Sequence, residues 1–328
     1  MQRFQPPAFT GEIFPFIGGD LQTLRDWFFP PIKTPDTAET IQIDLPDGDR
    51  LTASLSKPDG NAFGTLIIVH GLGGSSASQH TRALEAAALL SGYVCMRVNL
   101  RGAGTSRPYC KQTYHAKRGV DLIPFIDRMR ALYPALPCVM IAHSLGGSVA
   151  LNMALDYPDE ASWLAGLVAI SSPLNMIASN ARFHKPRNHL YMRYILSAIQ
   201  KLAATCPELP QSYVNAAKAA KSVEEFDRNV TAPLNGFASH IDYYEAASTH
   251  ERLYKMQKPL LLLHAENDPW ISSKAYSKSQ FSDSTIVALT SGGGHIGFHD
   301  KARYNTNARP SWHIRTTLEF CNHLRRNA

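Results

Sequence analysis

The chain has 328 residues, enough for one large globular domain with an insertion, and 44% of them are hydrophobic against 18% charged. This composition excludes a disordered chain and a coiled coil. A net charge of +6 is mild at this length, and no nucleic-acid-binding motif accompanies it, so no nucleic-acid partner is expected. Five scattered cysteines and the lack of a signal-like or membrane-spanning run predict a cytoplasmic protein without disulfides or a zinc site.

The first part of the chain is predicted to form an irregular arm, residues 1–40, because prolines recur through it. Eight apolar or β-branched runs then predict strands, and several are continuously apolar, as in strands buried on both faces of a parallel sheet. The first two alternate with polar residues around a Pro-Asp-Gly-Asp turn, which predicts an antiparallel hairpin at the sheet edge. The eight runs are residues 41–45, 51–57, 65–70, 93–99, 138–143, 167–171, 259–264 and 285–290.

Helical patterns over residues 79–91, 114–132 and 144–157 alternate with these strands. Such alternation is typical of a doubly wound α/β sheet. Residues 174–256 have helical periodicity but no convincing strand, so we interpret them as a helical cap inserted into a core of residues 41–173 and 257–328.

The strongest chemical signal is Ser144, in the segment AHSLGG at residues 142–147. The segment directly follows a predicted strand and directly precedes a helix. A serine on such a tight turn has its hydroxyl exposed for nucleophilic attack, although Ala142 replaces the first glycine of the GxSxG pattern. The alternative is a serine that only caps the helix in a glycine-rich turn.

A nucleophilic serine needs a base and an acid that orients the base, and in this architecture they follow in the order acid, then histidine. Asp268 follows the seventh predicted strand, and His295 follows the eighth. Both stand where open α/β sheets place their sites, at the carboxyl ends of strands. Glu266 is a competing acid, but Pro269 fixes the turn directly after Asp268 and favours that residue.

The glycine-rich loop after the third strand, residues 70–76, can turn its amides inward to stabilise an oxyanion. The backbone N–H groups of Leu72 and Leu145 are the predicted donors. His70 and His143 flank these loops and are expected to hydrogen-bond the backbone. No metal or nucleotide cofactor is expected, because the sequence has no HExxH, EF-hand or GxxxxGK(S/T) pattern. The GxGxxG match at residues 292–297 leaves too little chain after it for a nucleotide-binding unit.

Seven segments together resemble the YheT-like branch of the α/β-hydrolase superfamily. They are residues 21–24 (LQTL), 70–75 (HGLGGS), 97–104 (RVNLRGAG), 144–147 (SLGG), 231–237 (TAPLNGF), 242–244 (DYY) and 293–298 (GGHIGF). The resemblance implies an α/β-hydrolase fold with a mostly parallel eight-stranded sheet, and a serine esterase or lipase acting on esters of short to medium acyl chains. Gly19-Asp20 differ from the Pro-His pair usual in that branch.

We therefore predict a carboxylic ester hydrolase in which Ser144, His295 and Asp268 form a triad. An acyltransferase or a thioesterase with the same triad remains an alternative, as does a non-catalytic binding protein. A lipase or phospholipase in peripheral contact with membranes is a further alternative, motivated by Trp27-Phe28-Phe29 and by the basic residues of the cap. The oligomeric state stays open.

Overall fold

The computed structural model describes residues 3–29, 37–304 and 310–327, so residues 1–2 and 30–36 of the predicted arm lie outside the described residues. Eight strands form one sheet. They are β1 Glu39–Asp44, β2 Arg50–Ser56, β3 Gly64–Val69, β4 Tyr93–Asn99, β5 Cys138–His143, β6 Leu164–Ile170, β7 Leu260–Ala265 and β8 Thr285–Thr290. All eight predicted strands are confirmed, and β6 begins earlier than predicted because Leu164 already pairs with Cys138 of β5.

Helices flank the sheet and fill the segment between β6 and β7. The core helices are α2 Gln79–Leu90, α3 Ile123–Leu132, α4 Leu145–Asp156, α5 Pro158–Ala161, α12 Lys274–Lys278, α13 Lys301–Tyr304 and α14 Trp312–Asn327. Helix α1 Gly19–Phe28 precedes the sheet. The segment 174–256, called the cap below, contains α6 Met176–Phe183, α7 His189–Ala204, α8 Gln211–Ala219, α9 Val223–Phe226, α10 Ala232–Leu234 and α11 His240–Ala247.

The strand order is β1-β2-β4-β3-β5-β6-β7-β8. The β1–β2 and β2–β4 pairs are antiparallel and all others are parallel, so the predicted edge hairpin is confirmed. Every residue of β3, β5 and β7 is buried, which explains their continuously apolar sequences. Because β3, β5, β7 and β8 are parallel, the loops that follow them meet at one edge of the sheet.

Two predictions about local structure are wrong. The arm is not irregular throughout, because residues 19–28 form α1, where buried Gln22 bonds the carbonyl oxygens of Phe16 and His299. The helix predicted over residues 114–132 begins only at Ile123, after a 3-10 turn at Gly119–Leu122. Gly119 packs so closely on α4 that a Cβ there would lie 2.5 Å from the Met153 nitrogen. That contact fixes the chain in a turn before the helix.

The cap has a hydrophobic cluster separate from the two clusters that cover the faces of the sheet. Its buried members come mainly from α7 and the segment around α9, and include Met192, Leu196, Ile199, Phe226 and Val230. Residues 171–259 contain no strand. Other cap residues, such as Met176, Tyr243 and Tyr244, belong to a cluster that covers one face of the sheet. The helical segment therefore packs partly on itself and partly on the core.

Candidate active site

Ser144 lies at the turn between β5 and α4 in a strained backbone conformation, with φ 51° and ψ −127°. Positive φ is unfavourable for a residue with a Cβ, and such outliers cluster at functional sites. The Ser144 amide donates to the Ile170 carbonyl at 2.8 Å, which fixes the turn to β6. Ala142 is fully buried in β5, so the turn forms with alanine in place of the usual glycine.

Gly146 lets α4 approach the end of β3, because a Cβ on Gly146 would lie 2.2 Å from the His70 carbonyl oxygen. We expect Gly146→Ala to destabilise the protein by about 3 kcal/mol, since backbone must move to admit the methyl group. Urea denaturation measures the loss. Gly236→Ala is the control: a Cβ there meets nothing within 4 Å, so only its positive φ costs stability, about 1 kcal/mol. Equal losses for the two variants would contradict the prediction.

A continuous hydrogen-bonded chain joins the three predicted triad residues. His295 Nε2 lies 3.0 Å from Ser144 Oγ, and His295 Nδ1 lies 2.8 Å from Asp268 Oδ2. The other carboxylate oxygen, Asp268 Oδ1, accepts the backbone N–H groups of Trp270 at 2.8 Å and Ile271 at 3.0 Å. The Trp270 ring packs on the imidazole with centroids 4.2 Å apart. The two hydrogen bonds and the Trp270 ring together hold the imidazole between the carboxylate and the hydroxyl.

The environment of Asp268 keeps it charged. Burial by itself raises its pKa, but the charge and hydrogen bond of His295 outweigh this effect and leave the pKa below its usual value. Glu266, the competing acid, is exposed on the same loop, and its amide bonds the Thr290 carbonyl at 2.8 Å. The structure therefore brings Asp268, and not Glu266, to His295.

The two predicted oxyanion donors belong to segments that adjoin Ser144. Leu145 is the first residue of α4, so its N–H has no partner within the helix. The Gly71 carbonyl accepts from Tyr114 Oη at 3.3 Å and from the Gly74 amide at 3.1 Å. The Leu72 N–H belongs to the same planar peptide as the Gly71 carbonyl, so it points in the direction opposite to that carbonyl oxygen. Gly71 itself abuts the serine, since a Cβ there would lie 3.0 Å from Ser144 Cβ.

The flanking histidines, His70 and His143, hydrogen-bond backbone groups, as expected. His70 Nδ1 donates to the Gly71 carbonyl at 2.8 Å, and its Nε2 accepts the Leu100 amide at 3.1 Å. Burial lowers its pKa to about 4, so it stays neutral. His143 Nδ1 lies 3.4 Å from the Val69 carbonyl, and burial lowers its pKa to about 3.

The N-terminal segment holds the histidine loop, a role that sequence reasoning missed. Thr23 of α1 accepts the His295 amide on its Oγ1 at 2.9 Å. The Glu12 carboxylate accepts the Gly293 amide at 3.0 Å and the side-chain amide of Asn267 at 2.7 Å. The only sequence signal was the LQTL segment, whose third residue is Thr23.

Thr23→Val is expected to lower the kcat for ester hydrolysis about tenfold. Valine keeps the shape but removes the acceptor of the His295 amide, so the loop shifts, and small misplacements of a catalytic group are costly. Steady-state kinetics measure the effect, and Thr23→Ser should restore kcat because it restores the oxygen. Unchanged kcat in Thr23→Val, or no rescue by serine, would show that this hydrogen bond does not position the imidazole.

Ser144 and His295 open into a cavity of about 890 Å³ between the sheet edge, α1 and the cap. In the cap, Met176, Tyr191 and Ile195 line the cavity, whereas Met192 and Leu196 belong to the cap's own cluster. The arm reaches the cavity through Asp20, which accepts from Tyr191 Oη at 3.1 Å. Arm, core and cap all contribute to its wall.

Within residues 3–29, 37–304 and 310–327, no helix has the length and apolarity needed to cross a membrane. Over the same ranges, no three His, Cys, Asp or Glu side chains are grouped so that they could hold a metal ion. The five cysteines are free and buried.

The sheet order, the strained serine and the Ser–His–Asp contacts at strand ends define the class of α/β hydrolases. The chain belongs to the alpha/beta hydrolase fold family, whose model matches residues 64–302. It is 29% identical over 269 residues to the putative esterase YheT of Escherichia coli, covering 78% of this chain and 77% of that protein.

Two further comparisons, one of sequence and one of structure, also find enzymes of the esterase and lipase type. The chain is 28% identical over 272 residues to human phospholipase ABHD3, covering 81% of this chain but only 65% of that protein, less than two thirds of its length. A soluble variant of monoglyceride lipase from Saccharomyces cerevisiae, solved with a substrate analogue, superposes with a TM-score of 0.58 at 17% identity, covering 88% of this chain and 97% of that one. The latter shows a shared fold. The relatives are hydrolases of the esterase and lipase type, and this chain is their homologue.

Proposed function

We propose that the protein is a serine carboxylesterase that hydrolyses carboxylic esters of short to medium acyl chain length through an acyl-enzyme. The observation that carries the proposal is the unbroken hydrogen-bonded chain from Ser144 Oγ through His295 to Asp268. Its geometry is that of a nucleophile, a general base and a group that orients the base. The homology to esterases and lipases supports the same reaction class.

In the first step, Ser144 Oγ attacks the ester carbonyl while His295 Nε2 takes the hydroxyl proton. The carbonyl oxygen becomes an oxyanion that accepts the N–H groups of Leu72 and Leu145. Asp268 keeps the other imidazole proton on Nδ1 and stabilises the imidazolium. Collapse of the tetrahedral intermediate breaks the carbon–oxygen bond to the alcohol, which leaves with the proton from Nε2.

In the second step, a water molecule attacks the acyl-enzyme and gives its proton to His295 Nε2. The second tetrahedral intermediate uses the same two amides. Its collapse releases the carboxylic acid and returns the proton to Ser144. No metal or organic cofactor takes part in this proposed cycle.

The cavity supports an ester with an aliphatic acyl chain as the substrate. Its volume of about 890 Å³ falls in the range that encloses a small organic ligand, and apolar and aromatic side chains dominate its wall. Leu24, Leu190, Ile195, Ile199 and Leu202 are among them. These surfaces favour an aliphatic acyl chain over a charged one.

One observation favours a second function, a lipase or phospholipase acting at membrane surfaces. Trp27, Phe28 and Phe29 are exposed at the end of α1, and Trp27 meets Tyr194 of α7 with ring centroids 4.8 Å apart. Leu190 on α7 is also exposed. These side chains form an apolar rim beside the cavity, and tryptophan and phenylalanine are common where proteins contact lipid.

The basic residues predicted to attract anionic lipid are only partly free to do so. Arg187 pairs with Asp20 at 2.6 Å, and Arg182 donates to the Asp268 carbonyl at 2.6 Å. Lys185, Arg193 and Lys201 are exposed. Flotation with anionic vesicles tests the second function. If the wild type floats no better with anionic than with neutral vesicles, the lipid-surface function falls and a soluble ester remains the substrate.

A fluorophosphonate probe tests the esterase proposal directly, because it reacts only with an activated serine. We expect one label per chain on Ser144, lost in Ser144→Ala and retained in Ser179→Ala, which removes another serine of the cavity wall. Initial rates on p-nitrophenyl esters of increasing chain length then define the acyl preference. Absence of labelling in the folded wild type would overturn the proposal.

A further inference from the structure

A carboxylate that the proposed reaction does not use lies on the wall of the same cavity. Asp227 begins a π-helical turn, Asp227–Thr231, between α9 and α10 of the cap. It lines the cavity together with Ser144 and His295. A π-helical turn inserts one extra residue into a helix and redirects its side chains, and such turns are frequent at functional sites.

The two oxygens of Asp227 are each held by one hydroxyl. Thr231 Oγ1 donates to Oδ1 at 2.7 Å, and Tyr244 Oη donates to Oδ2 at 2.8 Å. Thr231 begins the TAPLNGF segment and Tyr244 ends the DYY segment, so the fold brings two sequence motifs of the cap to one carboxylate. An ionised carboxylate has about four lone-pair sites and donates nothing. Asp227 can therefore still accept hydrogen bonds from a ligand.

The surroundings of Asp227 leave this capacity free. Among the described residues, no lysine or arginine forms an ion pair with it, and the neighbouring Arg228 pairs with Glu224 instead. Asp227 is a partly buried residue, and it is one of the residues that line the cavity. Burial raises its pKa to about 6, so a substantial fraction is ionised at neutral pH.

Aromatic rings surround this part of the cavity. Tyr243 and Tyr244 lie side by side with centroids 5.4 Å apart, and both line the cavity with Phe226. These rings are almost fully buried, so the Asp227 carboxylate, a charged hydrogen-bond acceptor, is the charged group that this part of the wall offers to a ligand. A hydrogen-bond donor, neutral or cationic, is the complementary ligand group.

We propose that Asp227 forms a second binding subsite in the catalytic cavity, which selects substrates carrying a hydrogen-bond donor, a hydroxyl or an ammonium group, in addition to the ester. Tyr244 and Thr231 orient the carboxylate, and the cavity connects it with the reacting serine. The subsite rests on the proposed function only in that an ester occupies this cavity. It makes the protein selective for polar-substituted esters over plain aliphatic ones.

A purely structural role makes a different prediction. If Asp227 only fastens the π-helical turn to α11 through Tyr244, removing its charge changes the melting temperature and leaves ligand preference as it was. Asparagine retains an acceptor for Thr231 and can donate to the Tyr244 oxygen, so Asp227→Asn keeps the turn while it removes the charge. Ligand preference, measured beside the melting temperature, separates the two roles.

The experiment measures binding in a Ser144→Ala background, so that esters bind without turnover. Two series of probes are titrated calorimetrically, methyl alkanoates and alkyl acetates of increasing length, each ending in a methyl, a hydroxyl or an ammonium group. We expect the donor-terminated ester of the best length to bind about tenfold tighter than its methyl-terminated match. Adding Asp227→Asn should reduce that ratio to about twofold or less for the ammonium series. Glu225→Gln, an acid of the same segment that binds the Lys221 amide, is the matched control and should leave the ratio unchanged.

The proposal is overturned if no ester in either series gains affinity from a terminal donor, or if the gain of the ammonium-terminated esters survives Asp227→Asn. Because the readout is binding, its failure is distinct from failure of the esterase proposal. Loss of fluorophosphonate labelling at Ser144 with the donor preference intact removes the reaction and keeps the subsite. Normal labelling of Ser144 with no donor preference keeps the proposed reaction and rules out the subsite.

Discussion

Ser144→Ala is expected to lower the kcat for ester hydrolysis by at least about 10⁴-fold, because the variant has no nucleophile to form the acyl-enzyme. The remaining rate would come from the proposed oxyanion amides and from substrate binding alone. The change removes one oxygen and leaves the backbone of the β5–α4 turn in place. Initial rates on p-nitrophenyl esters measure the loss. The concentration of wild-type active sites is determined by fluorophosphonate titration.

The control for this variant is Ser179→Ala, which removes a cavity-lining hydroxyl that bonds the Asn175 carbonyl at 2.8 Å and lies outside the triad. It should retain kcat within about twofold. Both variants should unfold at nearly the wild-type temperature. Wild-type activity in a folded Ser144→Ala protein would show that Ser144 is not the nucleophile.

Asp268→Asn should cost about 10³- to 10⁴-fold in kcat by fixing the wrong imidazole tautomer. The amides of Trp270 and Ile271 both donate to Oδ1, so the asparagine oxygen stays at that position. Its NH₂ group then faces His295 Nδ1 and donates to it. The imidazole proton moves to Nε2, which can no longer accept the proton of Ser144.

Glu266→Gln is the matched comparison, because Glu266 lies two residues away on the same loop and is exposed. Its removal should change kcat less than about twofold. The pH dependence of kcat/KM recorded for both variants separates a tautomer defect from a change in surface charge. If Glu266→Gln proves the more damaging variant, the assignment of the orienting acid is wrong.

The centre of the sheet could be predicted from the sequence because strands such as β3, β5 and β7 are buried on both faces. A segment such as Leu66–Val69 must be apolar at every position when helices cover the sheet above and below. The same logic placed Ser144, Asp268 and His295 near one another, since parallel strands end at a common edge. Choosing Asp268 over Glu266 rested on a turn residue, and the three-dimensional contacts agree with that choice.

Local periodicity misjudged two segments whose conformation depends on distant partners. The chain before Ile123 has helical spacing, but the close contact of Gly119 with α4 holds it in a turn. The proline-rich arm contains α1, whose buried Gln22 bonds His299, 277 residues further along the chain. Neither contact leaves a trace in the spacing of nearby residues.

The sequence by itself thus determined the fold class and which residues could form a nucleophile, base and acid. Short apolar segments mark the buried strands, and the candidate residues directly follow those segments. Only the tertiary structure decided how the site is supported and shaped. Thr23 hydrogen-bonds the His295 amide, and these two residues come from separate elements. Thr231 and Tyr244, also from separate elements, both donate hydrogen bonds to Asp227. Such hydrogen bonds depend on orientation and distances of about 3 Å, which arise only when the elements have packed.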